Sequence, residues 1–135
     1  MDLRIADVHT PAGLNGGFEA IVRQRAEAFV VAADPMLFSL RRRIVELAAR
    51  HRLPAVYEFR LFVELGGLLS YGPESSERFR RAAVYVDRIL RGARPGDLPV
   101  EQPRTFELVL NLPTAGRLRL AIPPSVRLRA DRVIE

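Results

Sequence analysis

Cysteine is absent from this 135-residue chain, which removes disulfides, thiolate metal sites and cysteine nucleophiles together. Tryptophan and lysine are absent as well, so all 21 basic residues are arginines. Histidine is nearly absent. His9 and His51 each lack a second ligand at the helical spacing that would bring two donors to one face, and both read as surface residues. The chain has no G-x-S-x-G elbow, Walker loop or G-x-G-x-x-G fingerprint. Gly16-Gly17 and Gly66-Gly67 are too short to cradle a phosphate and read as turns. No two carboxylates are arranged for acid–base work. The sequence therefore does not read as an enzyme and calls for no metal or cofactor. Long apolar runs are also lacking: nothing approaches the roughly 18–20 residues that span a bilayer. The segment Met1-Asp-Leu-Arg-Ile-Ala-Asp-Val8 has neither the basic start nor the apolar stretch of a secretory leader. As it stands, the chain is expected in the cytoplasm.

What is present is an ordinary globular composition, 48% hydrophobic, in a length that suits one domain. The net charge is +5, which raises the question of nucleic acid or an anionic surface. The arginines are scattered, with Glu46, Glu74, Glu77 and Asp87 among them. The one run, Arg41-Arg-Arg43, has no interleaved aromatic residues on which bases could stack. Nucleic-acid binding is not expected.

Along the chain, Leu3 to Val8 alternates weakly and reads as a strand. His9 to Asn15 is turn chemistry, with Asn15 as an N-cap candidate, and Phe18, Ile21 and Val22 then recur at helical spacing. Phe29-Val-Val-Ala-Ala33 is a continuous apolar run of the kind buried on both faces of a parallel sheet. Asp34-Pro35 ends it. A helix over 37–52 follows, with Ile44, Leu47 and Ala48 inward and Arg42, Glu46 and Arg50 outward. Ala55-Val-Tyr57 is the next strand. Phe62, Val63 and Leu65 suggest a short helix closed by Gly66-Gly67, and Leu68 to Tyr71 a further strand. Ser75 to Arg91 is the clearest helix, with one stripe of Phe79, Ala82, Ala83, Val86, Ile89 and Leu90 and with Gly92 as its C′ residue. Residues 93–103 form a proline-punctuated connector, and Phe106 to Leu112 alternates as a strand. Thr114 to Leu120 suggests one or two helical turns, and Val126 to Ile134 a terminal helix or strand. This order predicts an α/β fold with a largely parallel sheet in three layers.

In such sheets ligands sit at the carboxyl ends of the strands, and the residues that close each strand are the candidates. Asp34 follows a strand and precedes a proline. It can meet a ligand's ammonium or hydroxyl, or cap the next helix, and the two roles are compatible. Tyr57 and Phe59 alternate to one side at the end of their strand. Tyr57 is favoured as a core residue, whereas Phe59 can pack inward or stack on a ligand. Arg60 can grip a carboxylate in two-pronged fashion or remain solvated. Ser70 and Tyr71 carry hydroxyls suited to a cleft, beside Gly72, which permits close backbone approach.

Five segments also carry a resemblance: Arg41-Arg-Arg-Ile-Val-Glu-Leu-Ala-Ala-Arg-His-Arg-Leu-Pro-Ala-Val-Tyr57, Gly66-Gly-Leu-Leu-Ser-Tyr-Gly-Pro73, Arg80-Arg-Ala-Ala-Val-Tyr-Val-Asp-Arg-Ile-Leu-Arg-Gly92, Asp97-Leu-Pro-Val-Glu-Gln-Pro103 and Phe106-Glu-Leu-Val-Leu-Asn111. In this order and spacing the chain resembles the C-terminal half of substrate-binding proteins of ABC importers. That resemblance implies one lobe of a type I periplasmic binding protein fold. Its members hold an amino-acid-like or other small polar solute between two lobes and deliver it to a permease outside the cytoplasm. It further implies that residues 1–135 are the second lobe, with hinge-crossing segments near 68–73 and 93–112, and that the first lobe is missing. Asp34, Phe59, Arg60 and Tyr71 would then face the solute. Helix 75–91 would lose its usual partner and would fold back, stay exposed or pair with a second copy. The alternative is a stand-alone cytoplasmic interaction domain that self-associates through this helix.

Overall fold

A computed structural model describes residues 2–135; Met1, with which the leader comparison begins, lies outside them. Five strands form one sheet in sequence order: β1 (Phe29–Val30), β2 (Ala55–Tyr57), β3 (Leu69–Pro73), β4 (Phe106–Asn111) and β5 (Arg132–Ile134). The pairs β1–β2, β2–β3 and β4–β5 are parallel, and β3–β4 is antiparallel. Helix α1 (Leu14–Arg23) precedes the sheet. Helices α2 (Pro35–Ser39) and α3 (Arg41–His51) connect β1 to β2, and α4 (Arg60–Glu64) connects β2 to β3. Helix α5 (Ser75–Leu90) and the connector lead to β4, and α6 (Leu112–Arg117) and α7 (Pro124–Arg129) lead on to β5. This is the α/β, largely parallel sheet with flanking helices that the sequence predicts.

The core follows from the apolar faces. Leu14 and Phe18 of α1 meet Ile44, Val45, Leu47 and Ala48 of α3, and these pack on Ala55 and Tyr57 of β2 and Phe62 of α4. On β4 the adjacent residues Val109 and Leu110 are 0% and 1% exposed. Since neighbours on a strand point to opposite faces, the sheet is covered on both sides there. Arg52 adopts φ 52°, a left-handed turn that ends α3, and Pro54 follows it into β2. Gly92 has φ +100° after α5, as its C′ position requires.

Four expectations are corrected. Leu3 to Val8 forms no strand; Leu3 and Ile5 are exposed, and Val8 instead lies against Gly17, where a Cβ would stand 2.6 Å from Val8 Cγ2. Asn15 lies inside α1, and Thr10 provides the cap just upstream, its hydroxyl accepting from Gly13 N. The apolar run after Ala28 is not buried on both faces, because β1 is a two-residue edge strand and Val30 is 72% exposed. The helix over 37–52 is two helices. Asp34 and Pro35 start the first one early, and the Ser39 hydroxyl bonds back to the Met36 carbonyl at 2.7 Å, which competes with helix continuation. The terminal segment resolves into both options, a helix and then a strand.

Tyr57 is only 1% exposed and stacks on Phe62 with ring centroids 4.6 Å apart. Its hydroxyl is buried without a hydrogen-bond partner among the described residues, a loss of about 1–3 kcal/mol relative to a hydrated hydroxyl. Burial pushes the phenol above its usual 10.0, because the ionised form would sit in a poorly solvated place. The resulting contribution to stability is present below pH 10.0. It is lost as pH rises further, because the unfolded chain then ionises more readily than the folded one. Tyr57→Phe keeps the ring stack and removes the hydroxyl. It is expected to match or exceed the wild type in urea unfolding at pH 7 and to show a shallower loss of stability above pH 10. An equally steep alkaline loss would show that the phenol is not what titrates.

Candidate functional site

The carboxyl ends of β1 and β2 are shaped by the residues that stop them. Asp34 has φ −150° and ψ 133° and caps α2, its Oδ1 accepting from Leu37 N at 2.9 Å. Its carbonyl accepts from Phe38 N at 2.9 Å, so the cap fixes Phe38 as well. Phe38 then meets Phe59 edge-on at 5.1 Å and Phe62 at 6.2 Å. Together with Val31 and Ala32 from the end of β1, and with Asp34 and Glu58, these rings bound a shallow recess. Its interior is too narrow for a water-sized body, so a ligand group would meet it at its mouth.

Glu58 follows β2 and lies against Gly72 of its parallel neighbour β3. A Cβ on Gly72 would stand 2.2 Å from the Glu58 carbonyl oxygen and 2.8 Å from its Cγ, so glycine is the residue that allows this close approach. Glu58 Oε2 is buried without a hydrogen-bond partner among the described residues, and Oε1 lies 3.9 Å from Arg78 Nη1. The Arg78 guanidinium carbon lies 5.3 Å from the centroid of the Phe59 ring.

The structure gathers two of the four residues singled out in the sequence: Asp34 and Phe59 line one recess. Arg60 starts α4 and spends its charge on Glu64, at 3.7 Å, and Glu107, at 3.9 Å. Tyr71 is 57% exposed and stacks on Phe106 at 5.5 Å, on the opposite side of β3 from Ser70, which is buried. The sequence reading passed over Phe38 and Arg78. For Arg78 the available signal was its place in the first turn after a strand that ends in Gly72-Pro73. His51 lies stacked over Phe18 at 6.1 Å, and among the described residues no cluster of His, Asp and Glu is suited to a metal.

A second, larger hollow of about 620 Å³ lies between α5 and the connector, with Tyr85, Ile89, Leu98 and Pro99 in its walls. The Tyr85 hydroxyl donates to the Pro99 carbonyl at 2.5 Å, and Arg81 pairs with Glu101. The rest of the α5 stripe is bare: Phe79, Val86 and Leu90 are 76%, 55% and 81% exposed.

Residues 15–134 match the family described as ABC transporter substrate binding protein. The chain belongs to this family. No curated protein matches it. Among solved structures, it is 26% identical to a conserved domain protein of Vibrio cholerae O1 biovar El Tor, with a TM-score of 0.83, covering 90% of this chain and 41% of that one. It is 25% identical to an ABC domain from Streptococcus pneumonia in complex with L-Trp, with a TM-score of 0.84, covering 94% of this chain and 44% of the other. The open, ligand-free structure of CD0873, a substrate binding protein with adhesive properties from Clostridium difficile, is 19% identical over 94% of this chain and 42% of its own, with a TM-score of 0.62, and shares the fold. The chain thus spans about two fifths of the length of these relatives.

The Asp34 cap can be tested apart from any ligand. Asp34→Ala is expected to lower stability by about 1 kcal/mol, whereas Asp34→Asn retains a capping oxygen and is expected to stay close to the wild type. Chemical unfolding reads the difference. An Asn variant as unstable as the Ala variant would mean that the carboxylate charge, and not the cap, supports α2.

Proposed function

We propose that residues 1–135 form one wall of the cleft in a solute-binding protein of an ABC importer, and that the solute is a small, amino-acid-like molecule. The observation that carries this reading is the placement of Asp34 and Phe59 on one recess at the carboxyl ends of β1 and β2, in a chain of the substrate-binding family. The L-Trp bound to the streptococcal ABC domain supports the solute class. Asp34, held by its cap and exposed, would receive an ammonium group. Phe59 would stack on an apolar portion of the solute. Arg60 and Tyr71 would act further along the same edge, as the facing wall closes.

On this reading the chain is the second lobe, β3 and the connector approach the hinge, and a first lobe covers α5. The protein captures its solute without catalysis and passes it to a membrane permease outside the cytoplasm. Among the described residues no helix is long and apolar enough to cross a membrane.

The test is a thermal-shift screen of the full chain against the twenty common L-amino acids, followed by calorimetric titration of those that stabilise it. At least one is expected to bind, and Asp34→Asn should weaken it about ten- to hundredfold, the worth of one charge-assisted hydrogen bond. Absence of any stabilising amino acid would overturn the reading.

The bare stripe on α5 favours a second reading, a stand-alone domain that pairs with its own copy through this helix. Sedimentation across a concentration series should then show a dimer that Phe79→Glu abolishes. A monomer at every concentration would remove this reading.

A further inference from the structure

We draw no further inference here: the strongest candidate, the hollow between α5 and the connector together with the bare α5 stripe of Phe79, Val86 and Leu90, carries nothing beyond the readings already given, because nothing in the structure shows what covers it.

Discussion

The arrangement of the strand ends depends on one buried polar junction. Asn111, the last residue of β4, is 7% exposed. Its Oδ1 accepts from Thr114 N at 2.9 Å, and its Nδ2 donates to the Val63 carbonyl at 3.2 Å. Thr114 donates in turn to the Gly66 carbonyl at 2.9 Å, and Arg117 reaches the same hydroxyl at 2.7 Å. The two carbonyls belong to the end of α4 and the turn after it, and that of Val63 also accepts from Gly66 N at 3.0 Å. One side chain therefore caps α6 and ties down α4, and it joins the antiparallel part of the sheet to the parallel part. Phe59 and Phe62 sit at the start of that same short crossover. If the junction were lost, the aromatic floor of the recess would lose its fixed position relative to β4.

The same economy explains the tight spots around it. The crossover from β2 to β3 has room for one short helix, so Gly67 must approach Phe62 and Tyr57 closely: a Cβ there would stand 2.8 Å from the Phe62 carbonyl oxygen and 2.6 Å from Tyr57 Cε2. On the far side, Asp131 Oδ2 accepts from Leu108 N at 2.8 Å while its own N donates to the Leu108 carbonyl at 3.0 Å, which starts the β4–β5 pair. Arg132 then bonds Glu64 at 3.1 Å, so α4 is held from both directions. Constraint is greatest around α4 and weakest at α5, none of whose described residues is buried.

How much of this was legible in the sequence varied with the kind of force involved. Periodicity and local stereochemistry identified Ala55–Tyr57, the inward set Ile44, Leu47 and Ala48, and Gly92 after α5, because each depends on a short window of residues. The status of Val30 was not legible. A run of apolar residues looks the same in a central strand and in an edge strand, and the difference lies in which other strand is present. The break near Leu40 was hidden by a helical pattern that continues through it, and a single hydroxyl, that of Ser39, competes with the backbone there. Of the candidate site, Asp34 and Phe59 could be found because both lie next to strand-ending signals. The approach of the Arg78 head to Phe59 could not, because it joins residues nineteen positions apart that only tertiary packing brings together.

The placement of the arginines gives the net charge of +5 a physical meaning that composition alone does not. Arg132 of β5 bonds Glu64 of α4 at 3.1 Å, and Arg81 of α5 pairs with Glu101 of the connector. Arg60 and Arg78 stand at looser ion-pair distances, 3.7 and 3.9 Å from Glu64 and Glu107 for the first and 3.9 Å from Glu58 for the second. Both are about half exposed, where such pairs contribute little to stability. What most of these pairs share is that they join one element to another, so the excess of arginine fastens the crossovers to the sheet.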